Sequence, residues 1–383
     1  CLEFRRVLFR SIGLLRQNGV EVSTYQRHND EIDESERYGP GSLGRLRLAA
    51  DTVWSHRTVS DMAGLLRRLQ PQVIHAHNTF PLISPSLYHA ARQEGIPVVQ
   101  TLHNFRLSCP QAMFMREGKV CEDCLGTLPW RGVLRGCYRD SPAQSAVLFG
   151  MLGTHRLLGT YRNHVSRYVA LNAFCRDKFV QAGLPRERIA IKPNFVALHR
   201  PALGFSRNGG LFVGRLSEEK GIMVLRDAAA VGRSKPIEVL GTGPGEAQLI
   251  GQPGLRLAGW QAPDVTYSRM RRAAYLVMPS LWYENFPRTL VEAFACALPV
   301  IASRLGAMAD LIRDGQTGLL FEPGNARELA AKMLWADSHP QEMARMGQAA
   351  RREYEARYTP QINFAQLMDI YAEAIEEKAG AVA

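Results

Sequence analysis

The stretch Met278–Pro323, MPSLWYENFPRTLVEAFACALPVIASRLGAMADLIRDGQTGLLFEP, decides the reading of this 383-residue chain. It begins at the end of a short apolar run, Tyr275–Met278, and passes through a polar loop. It then enters a segment whose apolar residues Leu290, Val291 and Phe294 fall at helical spacing, and meets a second apolar run, Pro299–Ala302. Strand, loop, helix and strand in that succession make the unit of a parallel sheet. Two carboxylates, Glu284 and Glu292, bracket the helix start with seven residues between them. Pro287 suits the first helical turn, where its missing N–H costs nothing. The free N–H groups of that turn, near Phe286 to Thr289, can receive an anion. Both carboxylates can face one cleft and accept hydrogen bonds from sugar hydroxyls. Glu292 also reads as an ordinary helix carboxylate paired with an arginine.

The same alternation runs through the rest of the chain. Strands are expected at Val20–Tyr25, Val73–Ala76, Pro97–Leu102, Arg167–Leu171, Ile189–Ile191, Gly210–Val213, Ile237–Leu240, Leu255–Ala258, Tyr275–Met278 and Pro299–Ala302. Most are short and continuously apolar, which suits a sheet covered on both faces. Helical spacing falls between them at Ser60–Leu69, Leu87–Glu94, Cys175–Ala182 and Glu328–Trp335, and again from Pro360 to Lys378. The span Pro193–Asn208 holds Pro193, Pro201 and Gly204 and breaks the pattern. Two domains of ordinary size follow from the length. The expected division is 1–198, with a Cys-rich insertion at 104–140, then 199–358, then a helix at 359–383 packing back toward the first domain.

In open parallel sheets, ligands sit beyond the carboxyl ends of the strands. Chemistry-bearing residues cluster at such ends here. His75, His77 and Asn78 end one strand, and His103 and Asn104 another. Gly214 and Arg215 follow a third, Gly241, Thr242 and Gly243 a fourth, and Pro279 and Ser280 a fifth. They come from both halves, which implies a cleft between two domains. The segment Gly214–Gly221, GRLSEEKG, sets Arg215 and Lys220 around a turn, with Ser217 placed to cap a helix. A forked guanidinium and a mobile ammonium together fit a diphosphate.

Taken together, Glu-x7-Glu, GRLSEEKG, the Pro279-Ser280 pair, LPVIAS, the turn Leu240–Gly245 (LGTGPG) and GQTGLLF at 315–321 resemble the group 1, family 4 retaining glycosyltransferases. The resemblance covers roughly Ile12 to the C-terminus and is strongest from Gly210 to Ala331. It implies an α/β GT-B fold, two Rossmann-like doubly wound domains facing across a cleft. It implies a nucleoside-diphosphate sugar as donor, a saccharide or lipid-linked saccharide as acceptor, no cofactor for catalysis and retention of anomeric configuration. By the same resemblance Arg215 and Lys220 neutralise the diphosphate, Glu292 binds ribose hydroxyls and Glu284 holds the donor sugar. Backbone groups of Gly214, Gly241, Gly243, Phe286, Pro287, Arg288, Thr289 and Leu290 line the donor, and His103 lies beside the reacting sugar. The histidine also reads as a satisfied strand-end residue, and His75 and His77 read more readily as structural. The sequence departs from the family at Asn285, Pro287 and Ala297, where glycines are common and let a donor approach the backbone.

No side chain stands out as a covalent nucleophile, and there is no Asp-x-Asp to signal a metal at the diphosphate. The favoured mechanism is front-face attack assisted by the leaving phosphate. Two other classes stay open. One is a sugar-nucleotide-processing enzyme of the same fold, epimerase-like. The other is a non-catalytic protein that docks a partner through its cysteines.

Those cysteines, Cys109, Cys121, Cys124 and Cys137, are spaced C-x11-C-x2-C-x12-C. The pattern matches a structural zinc site, with disulfides or unligated thiols as alternatives. Cys175 and Cys296 read as core cysteines. The composition, 46% apolar and 22% charged with a net charge of +11, is that of a globular chain suited to anionic partners. No block of like charges signals a nucleic-acid tail, so nucleic acid is not an expected partner. Longest among the apolar runs, Ser145–Gly153 is half the roughly 18 residues needed to span a bilayer. Without a signal peptide of usual form, a cytoplasmic setting is the default. The segment Ala143–Val165 reads either as a core helix or as one lying on an anionic membrane. The chain opens on Cys1, and Ile12–Val22 reads as a helix end leading to a strand. The expectation is that residues 1–11 are foreign to the fold and that an opening strand and Gly-rich turn are missing.

Overall fold

Short runs of apolar residues bury both faces, and each such run needs neighbours on either side to satisfy its backbone. The computed structural model, which describes residues 2–34, 38, 41–198, 207–231 and 235–380, arranges them in two parallel sheets. The first half contains β1 (Ile74–Ala76) and β2 (Val98–Thr101). A small antiparallel hairpin follows, β3 (Met115–Arg116) and β4 (Lys119–Val120), and then β5 (Arg167–Ala170) and β6 (Ile189–Ile191). Its parallel sheet runs β1-β2-β5-β6. The second half contains β7 (Gly210–Val213), β8 (Ile237–Leu240), β9 (Leu255–Gly259), β10 (Tyr275–Met278), β11 (Val300–Ser303) and β12 (Gly318–Phe321). Its sheet runs β12-β11-β10-β7-β8-β9. Counted from β7, this is the 3-2-1-4-5-6 order of a doubly wound domain, with its reversal between β7 and β10.

Nine of the ten expected strands are present, each shifted by no more than one residue. Val20–Tyr25 is not among them. Strands exist by pairing, and no described residue pairs with this segment. Val20 and Val22 instead pack against Leu15, Val99 and Leu367, so the apolar pattern there records burial without a ladder. Residues 2–17 form one unbroken helix, Leu2–Gln17, which runs across the junction expected at residue 11. The hairpin β3–β4 and strand β12 are additions to the sequence reading. Pro201 and Gly204 of the expected linker lie outside the described residues, as does Cys1.

Helices cover the sheets where the periodicity places them: His56–Leu69, Ser86–Gln93, Ala173–Gln181 and Ala326–Ser338. Their starts are set by side chains that accept otherwise unpaired N–H groups. Ser55 accepts from Thr58, Asn172 from Cys175 and Asn325 from Glu328. The helix Pro360–Gly380 lies on the first sheet. Leu367, Ile370, Tyr371 and Ala374 join Val99 and Val169 in one apolar cluster, and Arg167 of β5 pairs with Glu373 and Glu377.

The helix Pro142–Leu157, read as either core or membrane-facing, is a core helix. Leu148, Met151 and Leu152 are buried with Tyr88, Phe105 and Tyr168. Leu157, at its end, is 89% exposed. Among the described residues no helix is long and apolar enough to cross a membrane. Leu152→Ala should therefore cost about 2–5 kcal/mol of stability, and Leu157→Ala should stay within about 0.5 kcal/mol of the parent. Urea unfolding of the two variants measures both. Equal small effects would return the helix to the surface.

Candidate active site

In a doubly wound sheet a crevice is expected at the carboxyl ends beside the strand reversal, here between β7 and β10, and the two most suspicious segments leave from those two strands. Gly214–Gly221 follows β7, and Pro279–Thr289 follows β10. Glycines make the loops fit. Gly221 has φ +71°, and a Cβ there would meet the Pro279 carbonyl oxygen at 1.8 Å. Leu281 N–H donates to the Glu219 carbonyl at 2.9 Å, locking the loops side by side. Gly241 and Gly243, after β8, close the floor. A Cβ on Gly241 would meet Gly214 O at 1.8 Å, and one on Gly243 would meet Leu216 O at 2.4 Å.

This contact delivers Lys220 to Glu284. The ammonium lies 2.6 Å from Glu284 Oε1 and 5.4 Å from the centroid of the Trp282 ring. Ser280 Oγ and Trp282 Nε1 also donate to that oxygen, at 2.9 and 3.1 Å. Glu284 is only 5% exposed. Its burial is tolerated because a cation and two donors satisfy it. Arg215, at the end of β7, is exposed. Ser217 does not cap a helix as expected. Its Oγ donates to Glu219 at 2.5 Å, a one-turn 3₁₀ segment Glu218–Lys220 intervenes, and the α-helix begins at Ile222.

Helix Arg288–Ala295 starts one residue later than expected, with Pro287 as its N-cap. No side chain caps it, and Leu290 N–H is taken by the Pro287 carbonyl at 3.0 Å, so the N–H groups of Arg288 and Thr289 are the first-turn donors suited to an anion. Glu292 has the helix partner foreseen as its plainer reading, Arg288 at 2.9 Å, and also accepts from Tyr267 OH at 3.0 Å. Arg288 Nε is buried without a hydrogen-bond partner among the described residues. Arg10, from the helix Leu2–Gln17, interacts with Tyr267, Arg288 and Glu292. Neither Tyr267 nor Arg10 carried a sequence signal. Ala297, where a glycine is common in the family, holds φ +53°, a region in which glycine is unstrained.

The first half brings His103 to the same crevice. Asn285, one residue beyond Glu284, donates its side-chain N–H to the carbonyl of Leu102, one residue before His103, at 2.9 Å. Asn172 Nδ2 donates to the Asn285 carbonyl at 2.7 Å, and the Cys175 thiol donates to Asn285 Oδ1 at 2.9 Å. Asn285 is therefore a tie between halves, and Cys175, read as a core cysteine, is buried and forms part of it. His103 Nε2 and His77 Nδ1 share a hydrogen bond at 2.8 Å. His75 is held between Tyr371 OH and Thr101 Oγ1, each at 2.7 Å. Buried Lys192 sits nearby, its own pKa pushed down to about 8 by burial. Burial, then the neighbouring cationic groups, hold His77 down to about 3 and His103 well below the ordinary histidine value. The imidazoles are neutral at pH 7. The four cysteines of the insertion line one small cavity away from these residues.

Comparison with known proteins agrees with this geometry. A family model for Glycosyltransferase Family 4 matches residues 5–200, and one for Glycosyl transferases group 1 matches residues 207–337. The chain belongs to the group 1, family 4 glycosyltransferases, and its fold is GT-B. The D-inositol 3-phosphate glycosyltransferase of an Arthrobacter species is 34% identical over 307 residues, spanning 74% of this chain and 68% of that protein. The D-rhamnosyltransferase WbpZ of Pseudomonas aeruginosa is 31% identical over 177 residues, spanning 44% of this chain and 46% of that one. For the first relatives matched, the chain spans about half their length or less, 37% to 52%. Among solved structures, Anabaena Alr3699/HepE in complex with UDP and glucose superposes with a TM-score of 0.60 at 19% identity, over 94% of this chain and 88% of that one.

The histidine cluster predicts a pH dependence of stability. An unfolded histidine takes up a proton near pH 6.5, whereas folded His77 resists it down to about 3 and His164, elsewhere in the first half, down to about 4. Their neutral burial thus contributes full stability above about pH 6.5, and the contribution is lost as pH falls toward the folded values. Melting temperature should fall slightly from pH 8 to 7, as buried Lys192 completes its protonation, and fall steadily from 6.5 to 4. A His77→Gln variant should show a shallower fall, and an unchanged slope would remove His77 from the cause.

Proposed function

We propose that this chain transfers a sugar from a nucleoside-diphosphate sugar to an acceptor hydroxyl with retention of configuration, in the assembly of a bacterial surface polysaccharide or glycolipid. The observation that carries the reading is the Lys220–Glu284 pair at the strand reversal, on loops locked together by Gly221. An incoming diphosphate bears more charge than Glu284 and competes for Lys220. Arg215 adds a second cation, and the uncapped start of helix Arg288–Ala295 adds N–H donors. Glu284, relieved of its cation, turns to the hydroxyls of the donor sugar. Glu292 and Arg288 Nε meet the ribose side. Gly214, Gly241 and Gly243 let the donor approach the backbone.

The reaction forms the bond between the acceptor oxygen and the anomeric carbon as the bond to the diphosphate breaks. The acceptor proton passes to the leaving phosphate on the same face. His103 is a poor base for that proton, because burial and its cationic neighbours keep it neutral. Its role is to hold the reacting sugar by hydrogen bonding. Stabilising the departing diphosphate is the main electrostatic task. That HepE was solved with UDP and glucose supports a nucleotide-sugar donor for a chain of the same fold. Nucleotide sugars place the work in the cytoplasm, and a net charge of +11 suits acceptors anchored at the anionic inner membrane surface.

Arg215→Ala should lower kcat/KM by about 10²-fold or more, the scale of a lost preorganised charge partner. A panel of nucleotide sugars should yield at least one that raises the melting temperature of the parent and raises it less in this variant. Unchanged kinetics in the variant, or a panel without any stabilising donor, would remove the diphosphate site. Proton NMR of the fresh product should show the anomeric configuration of the donor, and an inverted centre would exclude front-face attack.

A further inference from the structure

Away from the crevice, Cys109, Cys121, Cys124 and Cys137 line one cavity of 20 Å³, room for about one atom the size of a water. All four are free thiols. They come from separate turns of the 104–140 segment. Cys109 follows the turn after His103, Cys121 closes the β3–β4 hairpin, Cys124 sits in the next turn, and Cys137 follows the short helix Trp130–Leu134. Arg116 and Arg135 line the same cavity, and Arg135 Nη1 lies 3.9 Å from Cys121 Sγ and 2.5 Å from Asp123. Zinc held by four thiolates carries a net negative charge, and two guanidiniums at its edge offset it.

The backbone of this segment is held at Phe105, Cys109 and Phe114 by the core of the first half, but it has little regular structure of its own. Its regular structure is a pair of two-residue strands and one short helix. Among the described residues, eight non-glycine residues hold positive φ. Five of them lie here: Ala112, Phe114, Glu117, Arg139 and Asp140. Such strain persists where surroundings over-determine the chain. The segment nevertheless braces the donor loop. Glu122 pairs with Lys178 at 2.6 Å, and this pair lies against Tyr283, whose ring also meets Phe114 edge-on with centroids 6.2 Å apart. Tyr283 immediately precedes Glu284.

We propose that the four cysteines bind one zinc ion, and that this staple fixes the segment bracing the donor loop at Tyr283. As the side chains stand, no group of metal-ligating side chains among the described residues is drawn together tightly enough to hold an ion. Ligation supplies that closure. Each thiol gives its proton to solvent and contributes a sulfur–zinc bond, so metal uptake, proton release and tightening of the segment occur together. The proposal is independent of the donor and the reaction.

The test uses the whole chain, produced in zinc-supplemented medium and purified without chelator. Elemental analysis should find about one zinc per chain, with a mercurial releasing it as four thiols react. Cobalt substitution should give thiolate-to-cobalt absorption. Cys124→Ser should lose the metal and Cys296→Ala should keep it. If Cys124→Ser does not fold, the metal content and the cobalt spectrum of the parent decide alone. A metal-free parent without a cobalt–thiolate band, or an intact mass showing two disulfides, would overturn the site. Hydrogen exchange at residues 280–286 should quicken when the metal is stripped. Exchange that stays unchanged while zinc leaves would overturn the bracing.

Discussion

The buried hydrogen bonds of Asn285 hold the two halves in a chemically useful relation. Its side chain donates to Leu102 O and accepts from the Cys175 thiol, and its carbonyl accepts from Asn172. Each is modest in net worth, about 1 kcal/mol, but leaving a buried member unpaired costs more than the bond itself gains. The group is therefore held together or lost together. Glu284 and Phe286 flank Asn285 in sequence, one on each side, and His103 lies next to its partner Leu102. A single side chain thus sets the spacing between Glu284 and His103, the residues proposed to meet the donor sugar.

Within the second half, close approach of backbones does comparable work. Gly221 against Pro279 and Gly241 against Gly214 bring loops nearer than any Cβ allows. The result is a lysine from one strand end satisfying a buried glutamate from another. The same buried carboxylate would be too costly if Lys220, Ser280 and Trp282 did not surround it. Position and charge balance are therefore one problem, solved by glycine spacing.

Electrostatics in the first half run the other way. His75, His77 and His103 are stacked or bonded to one another beside buried Lys192. Burial above all, with the neighbouring Lys192 ammonium adding to it, keeps the imidazoles neutral. Neutral rings can donate and accept hydrogen bonds at fixed points without drawing an anion toward the first half, which is consistent with the proposal that Lys220 and Arg215 of the second half hold the diphosphate.

By itself, the sequence determined the alternation of strands and helices, nearly every strand boundary, and the clustering of Lys220, Glu284 and Glu292 near strand ends. These are properties of local periodicity and spacing, and local chemistry enforces them. It misread Val20–Tyr25, because an apolar run records burial whether or not a partner strand exists. It misplaced the cap at Ser217, because a 3₁₀ turn and an N-cap share the same residues. Only the tertiary structure decided that β7 and β10 are neighbours at the strand reversal, that Asn285 is a tie where a glycine is common, and that Tyr267 and Arg10 reach Glu292. Those facts rest on which backbones touch across long sequence separations, and no pattern of nearby residues encodes them.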